Sequence, residues 1–196
     1  MTTRSAIGMT LQEAIDRRRS VRAYRPGSLD RSAIDALLQA AVRAPTAMHA
    51  EPWAFVVIQD RDALRRLSDR AKPLFVDEVR RAHLDRGGHA LHTFERPEFN
   101  VFYDAGTLIV IGVESHTPFA EADCWLAAEN LMLAACAMGL GSCVIGSAVA
   151  ALNFPDVKLA LGIPEAFLAI APIIVGTPAQ DAPATGRRPA RIVAWR

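Results

Sequence analysis

The sequence predicts an α+β fold in a single domain that spans residues 1–196. Helical patterns come first, the buried strand patterns then stand singly between helices, and the connections are too irregular for a doubly wound parallel sheet. The length suits one core, and no repeat or change of composition divides the chain. The hydrophobic content of 51% also indicates apolar surface that a homodimer would cover.

The first two helices are predicted from their capping residues. Thr10 and Glu13 have the spacing of a capping box, and apolar residues then recur at helical intervals up to a cluster of arginines. After Pro26, Asp30 can cap a second helix with an apolar stripe. That helix should stop before Pro45, because the residue that precedes a proline is disfavoured in the helical region.

Three apolar runs are predicted to be strands, at residues 54–58, 107–113 and 167–175, and the last two are predicted to be buried. Residues 139–146, which we call the glycine run, begin at the glycine that ends the preceding helix. Their glycine spacing does not fit a dinucleotide-binding fingerprint, and they follow a helix rather than a strand. The glycines would still let backbone donors approach a flat ligand closely.

Three further helices are predicted. Asp60 can cap a short helix that runs through Leu67, and Pro155–Leu161 forms another that Gly162 ends. The third, from Phe119 to Met138, is apolar on nearly every side, so it should lie in the middle of an assembly. Charged residues interrupt its apolar run, which argues against a membrane span.

The composition limits which binding partners and which cellular compartment are expected. The 22 basic and 21 acidic residues give a net charge of +1, so no nucleic-acid partner is expected. The first 12 residues lack the apolar stretch of a secretory signal. Three cysteines without a CxxC spacing indicate neither a disulfide framework nor a zinc site. We therefore expect a cytoplasmic protein without a membrane partner.

The polar segment from residue 73 to residue 100 is the hardest to interpret. His89 and His92 lie one helical turn apart with Asp85 upstream, so a metal site is conceivable. The pair Gly87-Gly88 would interrupt the helix that must present these side chains. A mobile surface segment without a metal is therefore the preferred interpretation.

Cationic charge is concentrated in residues 17–25, which we call the arginine segment. Five arginines fall within these nine residues, and Ser20 adds a small hydroxyl between them. A guanidinium is a rigid fork of donors that suits phosphate oxygens, so the segment is a candidate anion site. The alternative is a solvated helix end, where cations also interact favourably with the helix dipole.

Residues 44–53, which we call the proline loop, contain Pro45 and Pro52 and show no periodic pattern. A stiff loop directly before a buried strand is a good place for the edge of a ligand site. The alternative is an ordinary connection whose Trp53 packs on the core.

Taken in order, these motifs resemble those of the FMN-dependent nitroreductase family. The matching stretches are residues 18–24, the proline loop, the glycine run and the pair Arg187-Arg188. The resemblance covers almost the whole chain and implies a nitroreductase-like three-layer α-β-α sandwich with a mixed central sheet. It also implies a homodimer in which the partner's C-terminal strand, residues 192–195, extends the sheet.

The resemblance further implies FMN bound at the dimer interface. The arginine segment and the tail arginines would hold its phosphate and ribityl chain, with Arg22 at the pyrimidine edge of the ring. The proline loop would reach the flavin of the other subunit, and the end of the glycine run would offer backbone contacts. The implied cofactor-binding residues are Arg18, Arg19, Ser20, Arg22, Pro45, Thr46, Ala47, His49, Glu51, Val144, Ile145, Gly146, Arg187 and Arg188.

The implied activity is hydride transfer from NADH or NADPH through FMN to an electron-poor acceptor, such as a nitroaromatic or a quinone, by a ping-pong mechanism. No side chain is expected to be catalytic, since the flavin N5 atom carries the hydride. Desaturation, dehalogenation or FMN storage without turnover are the alternatives within this fold. Glu51 stands where the family usually has glutamine, and its carboxylate would oppose formation of an anionic reduced flavin.

Overall fold

The structure, a computed structural model, describes residues 9–82, 89–115 and 117–196. Its helices are α1 Leu11–Arg17, α2 Arg31–Ala41, α3 Arg61–Arg81, α4 His89–Phe94, α5 Ala120–Ala137, α6 Val149–Leu152 and α7 Pro155–Leu161. Its strands are β1 Trp53–Ile58, β2 Thr107–Val113, β3 Gly141–Val144 and β4 Leu168–Gly176. Short 3₁₀ turns lie at Ala47–His49 and Gly146–Ala148. The predicted α+β class is confirmed.

The four strands form one sheet in the order β1-β2-β4-β3, and each neighbouring pair is antiparallel. The parallel pairing expected of a mixed sheet is limited, within the described residues, to an isolated bridge between Ser20 and Ser142. β3 ends at Val144, opposite Ile173. Pro172 precedes Ile173 in β4, and its nitrogen has no hydrogen to donate. The proline therefore lies just beyond the end of β3, where the ladder between β3 and β4 needs no further N–H from β4.

Helices cover both faces of the sheet and form the two outer layers. Along β2, Leu108 and Val110 belong to one hydrophobic core, and Ile109 and Ile111 belong to the other. α3 and α6 supply the first core, and α2 and α5 supply the second. Because both faces are covered, β2 is apolar at nearly every position, as its sequence predicts. The three-layer prediction is confirmed.

The predicted caps are present. Thr10 and Glu13 form the capping box of α1, and the side chain of Asp30 accepts the N–H of Ala33 at the start of α2. Gly139 follows α5 with a φ of 75°, and Gly162 ends α7 with a φ of 66°. Both glycines adopt the left-handed conformation that stops a helix.

The prediction of a short helix after Asp60 is wrong, because α3 continues through Pro73 for 21 residues. A proline inside a helix costs about 3 kcal/mol or more. Ala71, Lys72 and Val76 are buried on either side of the proline and offset this cost. Lys72 also donates from Nζ to the carbonyl of Pro97 at 3.0 Å, which ties α3 to the following segment.

The glycine run contains a strand that the sequence analysis does not predict. Residues 141–144 form β3, which pairs with β4 from Gly176 to Ile173. A four-residue stretch that begins with glycine has little intrinsic strand preference. Its pairing partner, more than 25 residues away in sequence, therefore decides its conformation.

No helix within the described residues is long and apolar enough to cross a bilayer. Likewise, no group of three or more His, Cys, Asp or Glu side chains in the described part could hold a metal ion. His83 and Asp85 lie outside the described residues, so the conceivable metal site near His89 and His92 is not addressed. Cys124, Cys136 and Cys143 are all free thiols.

Candidate functional site

The arginine segment begins where α1 ends and then runs beside β3. Val21 donates its N–H to the carbonyl of Ser142 at 3.0 Å. Further along, Arg25 donates its N–H to the carbonyl of Thr177 at 2.9 Å. These two backbone hydrogen bonds hold the arginine segment against the edge of the sheet. The backbone positions of the residues between them are therefore fixed.

β3 approaches the arginine segment so closely that a side chain at Gly141 has no room. A Cβ atom built there would lie 2.8 Å from Cβ, Cγ1 and Cγ2 of Val21. By contrast, a Cβ built at Gly146 would meet no atom within 4 Å. Close packing therefore requires a glycine at position 141, whereas the space around Gly146 would admit a side chain.

Gly141→Ala is expected to lower the free energy of unfolding by about 1 kcal/mol or more, because an added methyl group in a tight contact forces atoms to shift. Urea unfolding followed by tryptophan fluorescence measures this loss. Gly146→Ala is the matched control and should cost less. Equal stability of the two variants would contradict the close contact between β3 and Val21.

Two adjoining clefts open beside the arginine segment. The first has a volume of about 390 Å³, and its lining includes Arg17, Arg18, Arg19 and Cys136. The second has a volume of about 420 Å³, and its lining includes Arg19, Ser20, Arg22 and Arg187. Both volumes lie in the range of small-molecule sites. The structure thus gathers the predicted residues of the arginine segment and one tail arginine at one place.

The C-terminal tail forms the outer wall of both clefts. Ala179 donates its N–H to the carbonyl of Ala23 at 3.0 Å, so the tail passes beside the arginine segment. Asp181 lines both clefts, and Arg187 lines the second. Arg188 is not among the described residues that line either cleft. Of the two tail arginines, Arg187 is therefore the better candidate for an anion contact.

The arginine side chains differ in how far they are already engaged. Arg19 donates from Nη1 to the carbonyls of Asp16 and Arg18, at 2.6 and 2.8 Å, so it turns back on its own chain. The Nε atom of Arg18 lies 3.7 Å from a carboxylate oxygen of Glu129, whose side chain is half exposed. An ion pair of this length with an exposed partner is weak. Arg18 can therefore give up its contact with Glu129 and bind a more strongly interacting anion in the first cleft.

Arg22 keeps an uncancelled positive charge. No carboxylate of the described residues forms an ion pair with it. Its neighbours are phenols and a thiol: burial raises the pKa of Tyr103 and of Cys143, and the charge of Arg22 opposes each rise. Burial also raises the pKa of Tyr24, again against the charge of Arg22. These neighbours are neutral at physiological pH, so they do not neutralise the guanidinium.

The proline loop is exposed and strained. Met48, His49 and Glu51 have φ values of 55°, 53° and 43°, in the left-handed region that few residues other than glycine adopt. Thr46 accepts the N–H of Glu51 at its Oγ1 atom at 3.4 Å. Pro45, His49 and Glu51 are exposed, and Thr46 and Ala47 are half-buried. Strain concentrated in one exposed loop is typical of a functional site.

The proline loop and the clefts lie at opposite ends of α5. Ala47 donates its N–H to Oδ1 of Asp123 at 3.2 Å, near the start of the helix. Cys136, near its end, lines the first cleft. A rise of about 1.5 Å per residue separates these two helix positions by about 20 Å. One protomer therefore does not bring the proline loop to the arginine segment.

The end of the glycine run lies between β3 and α6. Ile145 is buried and donates its N–H to the carbonyl of Pro172 at 2.8 Å, so this amide is already used within the sheet. Val144 is half-buried and Gly146 is exposed. The predicted backbone contact to a ring therefore depends on Val144 and Gly146.

The sequence profile of the Nitroreductase family matches residues 15–177. The chain belongs to this family. The match begins within α1 and ends just after β4, so it includes the arginine segment, the proline loop and the glycine run but not the tail arginines. The resemblance that the motifs carry is confirmed.

Relatives agree with this assignment over most of the chain. The NADH dehydrogenase of Thermus thermophilus is 31% identical over 92% of this chain and 93% of its own length. The crystal structure of a nitroreductase with bound FMN from Bacteroides fragilis is 28% identical, with a TM-score of 0.76 over 94% of this chain and 98% of its own. An iodotyrosine deiodinase of Thermotoga neapolitana is 27% identical over 67% of this chain and 71% of its own length.

Two residues of this nitroreductase-family chain were not found by sequence reasoning. Asp123 holds the proline loop, and Tyr103 lies under the guanidinium of Arg22. An acidic residue in an otherwise apolar helix is a signal that could have pointed to Asp123. Nothing in the sequence near Tyr103 pairs it with Arg22, because the two are 81 residues apart.

Proposed function

We propose that this protein is an FMN-dependent oxidoreductase that moves hydride from NADH or NADPH to an electron-poor acceptor, such as a nitroaromatic or a quinone. The observation that carries the proposal is the convergence of Arg18, Arg19, Ser20, Arg22 and Arg187 on two adjoining clefts. The family membership and the FMN in the Bacteroides fragilis relative support it.

The donor set fits a phosphorylated flavin. Arg18 and Arg187 offer guanidinium donors suited to a phosphate, and Ser20 adds a hydroxyl. Arg22 would meet the pyrimidine edge of the ring, where its uncancelled charge stabilises the electron-rich reduced form. When bound, FMN supplies a centre that accepts a hydride from the nicotinamide and then passes it to the second substrate. The chain itself binds, orients and supplies positive charge, so no nucleophile is needed.

The proposed active form is a homodimer. The proline loop lies about 20 Å along α5 from the first cleft, so a second copy must supply the loop if both are to contact one flavin. An apolar face is available for this packing: Leu11, Ile15, Trp125, Leu126 and Met138 are all exposed. Large apolar side chains left exposed on or next to two contacting helices favour a protein interface. Two α5 helices packed antiparallel would bring each loop to the partner's clefts.

The C-terminal tail supplies a second contact between the proposed subunits. Ile192, Val193 and Trp195 are 62%, 86% and 85% exposed. β1 is an edge strand of the sheet, and its outer side has no partner among the described residues. We propose that the tail of one subunit pairs with the sheet of the other, which would cover both surfaces. The free thiols suit the proposed cytoplasmic location.

Reductive dehalogenation is the second candidate function. The similarity to the iodotyrosine deiodinase of Thermotoga neapolitana favours it over desaturation or FMN storage. It would use the same clefts, the same cofactor and the same dimer. The two candidates differ in the acceptor, for which residues 73–100 are the proposed determinant.

Binding and reduction of FMN test the proposed function. The protein should quench FMN fluorescence in a saturable titration, and anaerobic NADH or NADPH should then bleach the bound flavin. Turnover of a nitroaromatic or quinone supports the first function, and bleaching with turnover of a halogenated phenol alone supports the second. Binding without bleaching would indicate storage, and absence of binding would overturn the proposal.

A further inference from the structure

Four aromatic rings, which we call the aromatic row, lead from α3 towards the arginine segment. They are Phe75, Phe94, Phe99 and Tyr103. Successive ring centroids are 4.6, 5.2 and 5.6 Å apart, and the last two pairs meet edge to face. These distances and angles are the preferred ones for aromatic pairs. The row therefore links α3 and α4 to the loop before β2 through continuous contacts.

Arg22 lies at the end of the aromatic row. Its Cζ atom is 5.9 Å from the centroid of the Tyr103 ring, within the range of a cation–π contact. Arg22 also lines the second cleft. Tyr103 is not among the described residues that line either cleft, so it contacts the cleft only through Arg22.

Tyr103 has a backbone conformation that its surroundings must enforce. Its φ is 51°, and that of Asp104 is 55°. A bulky residue in the left-handed region is a rare outlier, which persists only where the neighbouring structure over-determines it. Asn100 supplies the restraint: its carbonyl accepts the N–H of Tyr103 at 2.9 Å, and its Nδ2 donates to Asp104 at 2.9 Å. The fold thus accepts strain that places this ring beside Arg22.

We propose that Tyr103 is a positioning residue that holds the guanidinium of Arg22 at the second cleft, with the aromatic row as its support. The inference rests on the proposed function, because only a bound flavin gives the position of Arg22 a chemical purpose. It also assigns a task to the described part of residues 73–100. Phe75 on α3 and Phe94 on α4 support Phe99, which is the ring that contacts Tyr103.

The first test uses the protein without flavin. The chain has only two tyrosines, Tyr24 and Tyr103. Burial raises the pKa of both phenols, and Tyr24 also donates its hydroxyl to the carbonyl of Val21 at 2.8 Å, so we expect Tyr103 to give the first tyrosinate absorbance as the pH rises. Arg22→Ala removes a cation that favours the phenolate and should move this midpoint to higher pH, although the charge of Cys143 also acts on Tyr103. Arg22→Lys should shift it less, and an unchanged midpoint in Arg22→Ala would overturn the contact.

The second test uses the flavin-loaded protein. Tyr103→Leu should weaken FMN binding about two- to fivefold, the range of an exposed cation–π contact, and shift the flavin potential downwards. Tyr103→Phe keeps the ring and should show a smaller change in both. The matched control is Phe154→Leu, since Phe154 lies under Arg70 at 4.8 Å, away from the clefts.

The outcomes separate this inference from the proposed function. If the wild-type protein binds FMN and Tyr103→Leu behaves like Phe154→Leu, the inference falls and the proposed function stands. If the wild-type protein binds no FMN, both fall, whatever the titration shows. A lower potential in Tyr103→Leu together with the shifted titration in Arg22→Ala supports the positioning role.

Discussion

Replacing Arg18 with alanine is expected to weaken FMN binding about tenfold to a hundredfold. Arg18 lines the first cleft, and its contact with Glu129 at 3.7 Å is too weak to keep it from a phosphate. Loss of a hydrogen bond to a charged group costs about 1.5–3 kcal/mol, which corresponds to this range. Titration of FMN fluorescence against each protein measures the change.

Riboflavin, which lacks the phosphate, is the control ligand for this prediction. It should bind the wild-type protein and Arg18→Ala equally if Arg18 contacts the phosphate. Arg31→Ala is the matched control variant, because Arg31 is exposed on α2 and pairs with Asp35 at 2.8 Å. It should leave FMN binding unchanged. An equal loss for riboflavin and FMN in Arg18→Ala would contradict the phosphate contact.

Salt provides an independent check of the same contact. The side chain of Arg18 is 21% exposed, so its attraction to a phosphate is partly screened as ionic strength rises. The difference in FMN affinity between the wild-type protein and Arg18→Ala should therefore narrow in high salt. The net charge of +1 makes this a local effect of the arginine segment rather than an effect of the whole protein.

The sequence predicts best those features that depend on the chemistry of residues close together in the chain. The caps at Thr10 and Asp30 depend on residues within one helical turn, and both are present. The arginine segment is recognisable because five guanidinium groups in nine residues need an anion or solvent whatever the fold. β2 was found over its full length, because a strand buried on both faces has an apolar residue at nearly every position.

The features that the sequence does not predict depend on contacts between residues far apart in the chain. The residues around Gly141 do not indicate a strand, because β3 forms only by pairing with β4. The residues around Pro73 do not indicate that α3 continues past the proline, because that depends on burial against the rest of the fold. The contact between Ala47 and Asp123 joins residues 76 positions apart. The clefts themselves form only because the tail returns to the arginine segment through Ala179 and Ala23. These features follow from packing that a single stretch of sequence does not encode.

Asp123 is a buried acid that contacts the proline loop, and its truncation is expected to destabilise the fold. Its side chain is 3% exposed, and its Oδ1 accepts the N–H of Ala47 in the proline loop. Its Oδ2 is buried and has no hydrogen-bond partner in the described part of the chain. A buried polar atom without a hydrogen-bond partner is costly, so the contact between Asp123 and the strained loop reduces the stability that the fold could otherwise have.

Asp123→Ala is expected to lower the free energy of unfolding by about 1.5–3 kcal/mol, because the N–H of Ala47 loses the side-chain acceptor that holds the proline loop. Urea unfolding measures the loss, and limited proteolysis should cut residues 46–51 faster. Asp123→Asn should lose less stability than Asp123→Ala, since the amide keeps one oxygen for Ala47, although its NH2 group has no acceptor among the described residues.

Glu121→Ala separates the role of this contact from that of charge at a helix start. Glu121 is exposed in the first turn of α5, so its loss should cost only about 0.5 kcal/mol through the helix dipole. If Asp123→Ala is no less stable than Glu121→Ala, the carboxylate does not hold the loop. If Asp123→Asn loses as much as Asp123→Ala, the hydrogen bond from Ala47 is not what stabilises the fold at this position. Only a large loss in the alanine variant with a small one in the asparagine variant fits a single hydrogen bond from the loop to a buried, otherwise unpaired acid.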